Sequence, residues 1–329
     1  MMERFDASWI PYEIKYHNNK RIEKKNHKNY VQTQKRYSGR KLLTPAEVNK
    51  KIYSFIYSST PCFIGRVGGN EMNIIAHSLR HKFFPFRTDA RKECLHDLSI
   101  MAGFFPQDIE MGQRFVDLNI ESAKELDIAG AWNNYMEEWF LHRYASKAEV
   151  AWLHSLEPWY PGSFDNDTAP WTYALKDKRV LVIHPFDVTI KKQYNSQREK
   201  LFMNVDPRIL PEFELLTLRS VQSIGGGAEG YSNWFEAYDY MLGKCKKMDF
   251  DVAIIGCGAY GFPLAAEIKK MGKCAIHLGG VTQLLFGIQG KRWESYGGVY
   301  ETMVNEYWTR PSEDEINPTM RTLEGGCYC

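Results

Sequence analysis

Hydrophobic and polar positions change period along the chain, and these changes predict its secondary structure. At 42–57, Thr44 and Glu47 form a capping box ahead of apolar residues that recur at helical spacing. An apolar strand at 61–65 follows, and helical spacing resumes from 71 to 79. The residues between the strand and the second helix therefore form a strand-to-helix turn, as in an α/β fold.

A different pattern begins after Lys178, where apolar strands alternate with helical segments. Residues 90–156, by contrast, are predicted to be mostly helical, because their apolar residues recur at helical steps. Successive strand–helix units predict a parallel sheet wound by right-handed crossovers. We therefore predict an α/β fold with a Rossmann-like parallel sheet and a helix-rich N-terminal half. The strands predicted for this sheet are 179–186, 213–222, 250–258 and 273–280.

Several segments depart from these two patterns. Residues 15–41 are rich in Lys and Arg, and Glu23 is the acidic residue among them. We expect a solvated, poorly ordered leader there; the alternative is a basic arm for an anionic membrane surface. Prolines interrupt 157–175, which is typical of an aromatic-rich surface loop. The chain is predicted to divide into a leader at 1–42, one domain at 43–308 and a tail at 309–329. Within the domain, a helix-rich part at 43–156 is followed by an aromatic loop at 157–175 and a Rossmann-like part at 178–296.

Composition constrains the class of protein. With 44% hydrophobic and 25% charged residues, the chain is typical of globular proteins, and it contains no apolar run long enough to span a membrane. Its seven cysteines are scattered without a CxxC pair, so we expect reduced thiols in a cytoplasmic protein. No nucleic-acid motif accompanies the basic residues, and no nucleic-acid partner is expected. The final Cys-x-Cys leaves a prenylation signal as an open alternative.

The first predicted strand is followed by residues suited to binding an anion: Arg66, Gly68, Gly69, Asn70 and Glu71. Glycines let a ligand approach the backbone, and a helix N-terminus offers N–H groups to an anion. Arg66 can grip a phosphate with two hydrogen bonds, while Glu71 can bind a divalent cation or act as a base. The structural alternative is a turn in which Arg66 pairs with Glu71.

The strand at 179–186 also leads into polar residues. His184 and Asp187 are candidates for ligand binding or acid–base chemistry. The helix behind them carries Gln193 and Arg198, for which the alternative is an ordinary solvated helix surface. Since the carboxyl ends of parallel strands share one edge of the sheet, we expect these residues near Arg66.

Gly256, Gly258 and Gly261, with Tyr260 among them, form a G-x-G-x-x-G pattern between a predicted strand and a predicted helix. The next strand ends in His277, where a dinucleotide site usually carries the acidic residue that binds ribose. The pattern therefore favours a phosphate-bearing nucleotide over NAD as a redox cofactor.

A basic and aromatic cluster follows the last predicted strand: Gln283, Lys291, Arg292 and Trp293. Positive charge beside an indole suits a sugar or nucleotide, because the charge meets phosphate and the ring stacks. The alternative is a nonspecific basic surface.

With these segments in place, the chain resembles the bacterial GT-D fold glycosyltransferases over roughly residues 45–296. The run RVGGNE at 66–71 is similar to that family's R-F-G-D-G-E signature, and 249–280 resembles its last Rossmann unit. Gly69 stands where the family carries the first acid of an Asp-x-Glu motif that holds a metal.

The resemblance implies transfer of a sugar from a nucleotide-sugar, a UDP-sugar being the expected donor, to a glycan or glycoprotein acceptor in surface polysaccharide synthesis. It implies a cytoplasmic enzyme, with the inner membrane face as an alternative location. Arg66 and Arg292 would neutralise the leaving diphosphate, either alone or with Mn²⁺ or Mg²⁺ bound by Glu71 and Asn70. Trp159 and Trp171 would stack on the acceptor. The residues expected to bind the donor are Gly68, Gly69, Asn70, Gln193, Arg198, Gly258, Tyr260 and Gly261. The expected catalytic residues are Arg66, Glu71, His184 and Asp187. The residues expected to contact the diphosphate or the acceptor are Gln283, Lys291, Arg292 and Trp293.

Two other functions are alternatives. The glycine pattern at 256–261 is also that of an NAD(P)-binding oxidoreductase. Gly69, in place of the first acid, is equally compatible with a non-catalytic protein that binds a nucleotide or glycan.

Overall fold

The computed structural model describes residues 8–83, 89–228 and 230–322. These residues form a single nine-stranded sheet with helices on both faces. The predicted α/β fold is therefore confirmed. The strands are β1 (Arg36–Tyr37), β2 (Arg40–Leu43), β3 (Cys62–Gly65), β4 (Ile128–Ala131), β5 (Glu149–Trp152), β6 (Arg179–His184), β7 (Glu214–Arg219), β8 (Val252–Ile255) and β9 (Cys274–His277).

The strand order across the sheet is β1-β2-β5-β4-β3-β9-β8-β6-β7. Only the edge pair β1–β2 is antiparallel among these described strands. The first five strands in sequence fill one half of the sheet, and the last four fill the other. The halves meet where β3 lies beside β9, with Gly65 in register with His277. Open α/β sheets bind their ligands at such a junction.

Helices cover both faces because successive strand residues point to opposite sides. In β6, Leu181 and Ile183 join one apolar layer, whereas Val180 and Val182 join the other. The α-helices are α1 (Ile10–Asn26), α2 (Pro45–Tyr57), α3 (Gly69–Phe83), α4 (Arg91–Ala102), α5 (Ile109–Ala123), α6 (Glu137–Tyr144), α7 (Asp187–Gln197), α8 (Trp234–Lys247), α9 (Gly261–Lys270), α10 (Lys291–Glu294), α11 (Val299–Met303) and α12 (Pro318–Thr322).

The predicted capping box begins α2. The Glu47 N–H donates to the Thr44 hydroxyl at 3.2 Å, and the Thr44 N–H donates to the Glu47 carboxylate at 2.8 Å. These bonds satisfy N–H groups that have no partner within the helix. The helix then buries Val48, Ile52 and Ile56 against the sheet. None of the helices in the described ranges is long and apolar enough to cross a membrane.

The basic leader differs from its prediction. Instead of a poorly ordered segment, the described part of 1–42 contains α1 and two strands of the sheet. Trp9 is buried beside this helix, and the Asn19 amide donates to Asn133 at 3.2 Å. Lys15 forms an ion pair with Glu138. Polar contacts therefore anchor a helix that has little apolar periodicity of its own.

The strand predicted at 61–65 is present as β3, but the prediction of mostly helix for 90–156 needs correction. That segment also contributes β4 and β5, so the sheet extends through both parts of the chain. The strands IAGA and EVAW have four residues each. Runs this short, with small side chains, show no usable period, although their backbones complete a parallel sheet.

The aromatic loop at 157–175 is not a surface platform. Trp159 and Trp171 are buried in the core. The Trp171 indole N–H donates to the Leu156 carbonyl at 2.9 Å, and its backbone N–H donates to Asn49 at 2.6 Å. These rings fill the space beneath the sheet, so neither is placed to stack on an acceptor.

The segment predicted as a tail is partly built into the fold. Buried Glu315 accepts the Val188 N–H at 2.7 Å, at the start of α7. Met320 reaches the cavity described below. The Cys-x-Cys ending at 327–329 lies outside the described residues.

Candidate functional site

The carboxyl edge of the sheet holds a cavity of about 250 Å³, here called the large cavity. Its size is close to the roughly 300 Å³ at which small-molecule sites usually begin. Residues at the carboxyl ends of six parallel strands line it, which is the arrangement expected of a binding site in this fold. The lining residues at these strand ends are 66 and 68–71 after β3, 132 after β4, 184–186 at β6, 220–224 after β7, 256–258 and 260 after β8, and 277, 279, 280 and 283 at β9.

Arg66 stands at the junction of the two halves of the sheet. Its guanidinium carbon lies 5.2 Å from the centroid of the Trp132 ring, within the range of a cation–π contact. Gly279 has a φ of +67°, and a Cβ there would lie 2.6 Å from Nη2 of Arg66. The glycine is therefore required both by its backbone conformation and by the space that the guanidinium occupies.

Glu71 lies in the first turn of α3, where its carboxylate folds back over Gly68. A Cβ at Gly68 would lie 2.0 Å from a Glu71 carboxylate oxygen, so any side chain there would displace the carboxylate. Burial raises the pKa of Glu71, while the residue's own backbone N–H and Arg66 act in the opposite direction.

Two buried histidines line the large cavity, His184 and His277. Burial lowers the pKa of each to about 3, and the nearby Arg66 adds to the effect at His277. Both imidazoles are therefore neutral at pH 7. The two histidines therefore add no charge to the cavity at that pH.

The two imidazoles are different tautomers. Nδ1 of His184 accepts the Phe186 N–H at 3.0 Å, so its proton is on Nε2 and His184 acts as a donor. Nδ1 of His277 donates to the Arg66 carbonyl at 3.2 Å, which leaves Nε2 unprotonated. That nitrogen faces Gly261, where a Cβ would lie 2.4 Å from it. Neither histidine presents a free basic nitrogen to the large cavity.

A small cavity of about 70 Å³ adjoins the large one. Arg66, Trp132 and Arg292 are among the residues that line both, so the two cavities meet at these side chains. Its other walls come from the segment after β5 and from the region around α10. The small cavity contains His154 and Glu157, and Nδ1 of His154 lies 2.6 Å from the Glu157 carboxylate.

The structure brings ten of the residues predicted for the site to the large cavity. Gln283 and Tyr260 already have protein partners there: the Gln283 amide donates to the Ile288 carbonyl, and the Tyr260 hydroxyl bonds to Ser223 at 2.7 Å. The ten are Arg66, Gly68, Gly69, Asn70, Glu71, His184, Gly258, Tyr260, Gln283 and Arg292.

Other predicted residues lie outside the large cavity. Asp187 forms an ion pair with Arg219 at 2.5 Å, because β6 and β7 are neighbours. The Gln193 amide donates to the Tyr307 carbonyl at 2.9 Å, which fixes it in the core. Arg198 forms ion pairs with nearby glutamates. These three contacts are structural.

The remaining predicted residues surround the site without entering the large cavity. Gly261 begins α9 and is covered by the His277 ring. Trp293 is buried and lines the small cavity, and Lys291 is exposed at the start of α10. The cluster at 291–293 is therefore divided among three environments.

The sequence prediction missed Trp132, His154 and Glu157. Each follows a strand, β4 or β5, that the hydrophobic pattern did not reveal. Without those strands, nothing indicated that these residues stand at the same sheet edge as Arg66. The one available signal was the His-x-x-Glu spacing at 154–157.

The described residues do not fit a metal held by the protein. They contain no group of three His, Cys, Asp or Glu side chains suited to an ion. Among the described residues that line the large cavity, Glu71 is the only carboxylate. Mn²⁺ and Mg²⁺ prefer several oxygen ligands, whereas Glu71 faces the positive charge of Arg66.

No protein-family model matches the chain, and no curated protein matches it. Two solved structures of the domain of unknown function 1792 are similar in fold, with TM-scores of 0.41 and 0.40 and 13% sequence identity. Each similarity covers 84% of this chain and 93% of the other. One of them is described as having a distinct glycosyltransferase fold. A likeness this remote leaves the function to be argued from the cavities themselves.

Proposed function

We propose that the protein is a glycosyltransferase that moves a sugar from a nucleoside-diphosphate sugar to an acceptor hydroxyl. The observation that carries this proposal is the convergence of Arg66, Arg292 and the start of α3 on one cavity at the sheet junction. Guanidinium groups and free backbone N–H groups are suited to a diphosphate.

The electrostatics of the large cavity support an anionic ligand. Burial keeps His184 and His277 neutral and raises the pKa of Glu71. Arg66 and Arg292 bring two guanidinium groups to the cavity, and Glu71 is the one carboxylate among its described lining residues. Guanidinium groups of this kind can bind the oxygens of a diphosphate.

The cavity also offers contacts for the rest of a nucleotide. Trp132 is partly exposed beside Arg66 and can stack on a base or sugar. Nε2–H of His184 can donate to a ribose or phosphate oxygen. These contacts favour a nucleotide over free inorganic phosphate.

In the proposed reaction, the acceptor oxygen attacks the anomeric carbon while the bond from that carbon to the diphosphate breaks. Negative charge then grows on the departing diphosphate, and preorganised donors stabilise it more than they stabilise the bound substrate. Arg66, Arg292 and the α3 N-terminus are assigned this role, without a step that depends on a metal.

The oxidoreductase alternative is less well supported. A Cβ at Gly256 would lie 2.6 Å from the Gly279 carbonyl oxygen, and one at Gly258 would lie 3.0 Å from that of Ala102. Gly261 is covered by His277. Contacts within the protein therefore account for all three glycines of the dinucleotide pattern.

A donor screen tests the proposal. Purified protein is incubated with UDP-, GDP- and CMP-sugars in EDTA or Mn²⁺, and released nucleotide is measured by mass spectrometry. We expect release from one donor class, faster with a sugar acceptor such as an alkyl glycoside, and its loss in Arg66→Gln. If the wild-type protein releases nucleotide from none of these donors, the proposed activity is wrong.

The same screen separates the alternatives. Binding of a nucleotide without turnover would identify a non-catalytic binding protein, and binding of NADH alone would favour the oxidoreductase. A surface-glycan acceptor and a location at the inner membrane face are further parts of the proposal. Mass spectrometry of the product formed with extracted glycans tests the first, and sedimentation with anionic vesicles tests the second.

A further inference from the structure

The glycosyl transfer proposed above needs a base to accept the acceptor's proton, and the described residues of the large cavity do not provide a clear one. His184 is a donor there, and the free nitrogen of His277 faces Gly261. Asp187 is outside the cavity in an ion pair with Arg219. Glu71 is folded over Gly68 at the start of α3. The small cavity, which Arg66 and Trp132 also line, contains a better candidate for the base.

His154 and Glu157 form a hydrogen-bonded dyad in the small cavity. Nδ1 of His154 lies 2.6 Å from the Glu157 carboxylate. Glu157 is buried and also accepts the Trp159 indole N–H at 2.9 Å and the Tyr300 hydroxyl at 2.6 Å. These two donors match an ionised carboxyl, which can only accept, so Nδ1 of His154 is the donor toward Glu157 and toward the Tyr300 oxygen, 3.0 Å away.

This arrangement fixes the tautomer of His154. With Nδ1–H donating to Glu157, the lone pair is on Nε2. In the described part of the chain, no side chain or backbone group forms a hydrogen bond with that nitrogen. An imidazole held through Nδ1 by a buried carboxylate, with Nε2 open, is the arrangement of a general base.

The surroundings of the dyad suit a sugar. Trp293 and Tyr296 line the small cavity, and the Trp152 ring centroid lies 5.1 Å from that of His154. Aromatic faces pack against the C–H groups of a pyranose ring. A volume of about 70 Å³ admits the edge of one sugar ring and leaves the rest of the acceptor outside.

We propose that the small cavity is the acceptor subsite, with His154 as the general base and Glu157 as the residue that positions it; this proposal rests on the glycosyl transfer proposed above. The acceptor hydroxyl stands at the wall between the cavities, beside Arg66. Its oxygen forms the new bond to the anomeric carbon, and its proton moves to Nε2 of His154. The electron pair of the broken anomeric C–O bond leaves on the diphosphate.

Three variants test the assignment with UDP-sugar turnover and UDP binding as separate readouts. His154→Ala should lower kcat at least about 100-fold, the usual contribution of general-base catalysis, while UDP affinity stays unchanged. Free imidazole should restore part of the lost rate, which a purely structural histidine would not allow. Glu157→Gln should lower kcat less. His96→Ala, at an exposed histidine with a side-chain partner, is the matched control and should behave as wild type.

Nitrogen-15 NMR of labelled histidine provides a second test that needs no turnover. The wild-type spectrum should show His154 with its proton on Nδ1, and Glu157→Gln should remove that preference. Unchanged kcat in His154→Ala, a loss that imidazole does not rescue, or a proton on Nε2 would overturn the assignment. If the wild-type protein neither binds UDP nor releases nucleotide, the failure belongs to the proposed function, and the acceptor subsite falls with it.

Discussion

The two cavities share a wall but are built on different chemistry. The large cavity is lined by Arg66, Arg292 and the start of α3, and its histidines are held neutral by burial. The small cavity contains a hydrogen-bonded pair, His154 and Glu157, in which the buried carboxyl also accepts from Trp159 and Tyr300. A candidate proton acceptor thus lies beside the groups suited to an anion, and Arg66 and Arg292 line both cavities.

In the proposed transfer, one sheet edge thus carries two tasks at different strand ends. Arg66 and the start of α3 follow β3, whereas His154 follows β5, two strands away in the sheet. The comparison depends on three features of the large cavity: its histidines are neutral, its arginines are positively charged, and its described lining residues include no pair of acids.

The largest expected effect concerns the neutral histidines. The pKa of His184 is about 3 in the folded protein and about 6.5 in the unfolded chain, so the unfolded chain binds the proton first as pH falls. The free energy of unfolding therefore falls as pH drops below about 6.5. The loss is on the order of 5 kcal/mol once the pH is below the folded-state pKa of about 3. His184→Asn keeps an acceptor for the Phe186 N–H and removes this titration.

Acid unfolding followed by circular dichroism checks this expectation. The unfolding midpoint of His184→Asn should move to lower pH, whereas His96→Asn should leave it unchanged. An identical midpoint for His184→Asn and the wild type would mean that His184 is not held neutral by the fold.

The next effect tests the positive charge of the large cavity. Arg66→Gln removes a guanidinium that lies against Trp132 and faces the cavity. We expect UDP affinity to fall about 100-fold, equivalent to roughly 3 kcal/mol for a charged hydrogen-bonding group. Arg198→Gln, which removes an arginine outside both cavities, is the control. Equal losses in the two variants would show a general charge effect instead of a specific site.

A smaller effect tests the turn below Glu71. In Gly68→Ala, the new methyl group would displace a carboxylate that lies 2.0 Å from its position. We expect a loss of about 1–2 kcal/mol in the free energy of unfolding, together with weaker UDP binding. Gly227→Ala is a suitable control because its Cβ would meet open space. Similar unfolding midpoints for both variants would argue against this packing.

The smallest effect tests the absence of paired acids. A Cβ at Gly69 would lie 3.4 Å from Asn134, an ordinary contact, so the position accepts a side chain. Gly69→Asp adds a second carboxylate to the turn that contains Glu71, and we expect Mn²⁺ to increase UDP affinity about tenfold, or roughly 1.4 kcal/mol, in this variant alone. Gly69→Asn controls for size. The same Mn²⁺ response in the wild-type protein would contradict the metal-free account.

Sequence patterns predicted the parts of the fold in which long apolar strands alternate with amphipathic helices. They also identified Arg66 and Glu71, because a strand–glycine–helix turn is visible in the residues themselves. The short strands β4 and β5 lack such a period, and Trp132, His154 and Glu157 were lost with them. Asp187 was misplaced for another reason: its partner Arg219 comes from a neighbouring strand, and only the sheet order reveals that pairing.

Calorimetric titration of the wild-type protein with UDP in EDTA tests the central claim most directly. We predict metal-independent binding that weakens as salt is raised, with no comparable binding of uridine, because in the proposed site Arg66 and Arg292 bind the diphosphate charge. Equal binding of UDP and uridine, or no binding of UDP or GDP at millimolar concentration, would contradict a diphosphate site at Arg66.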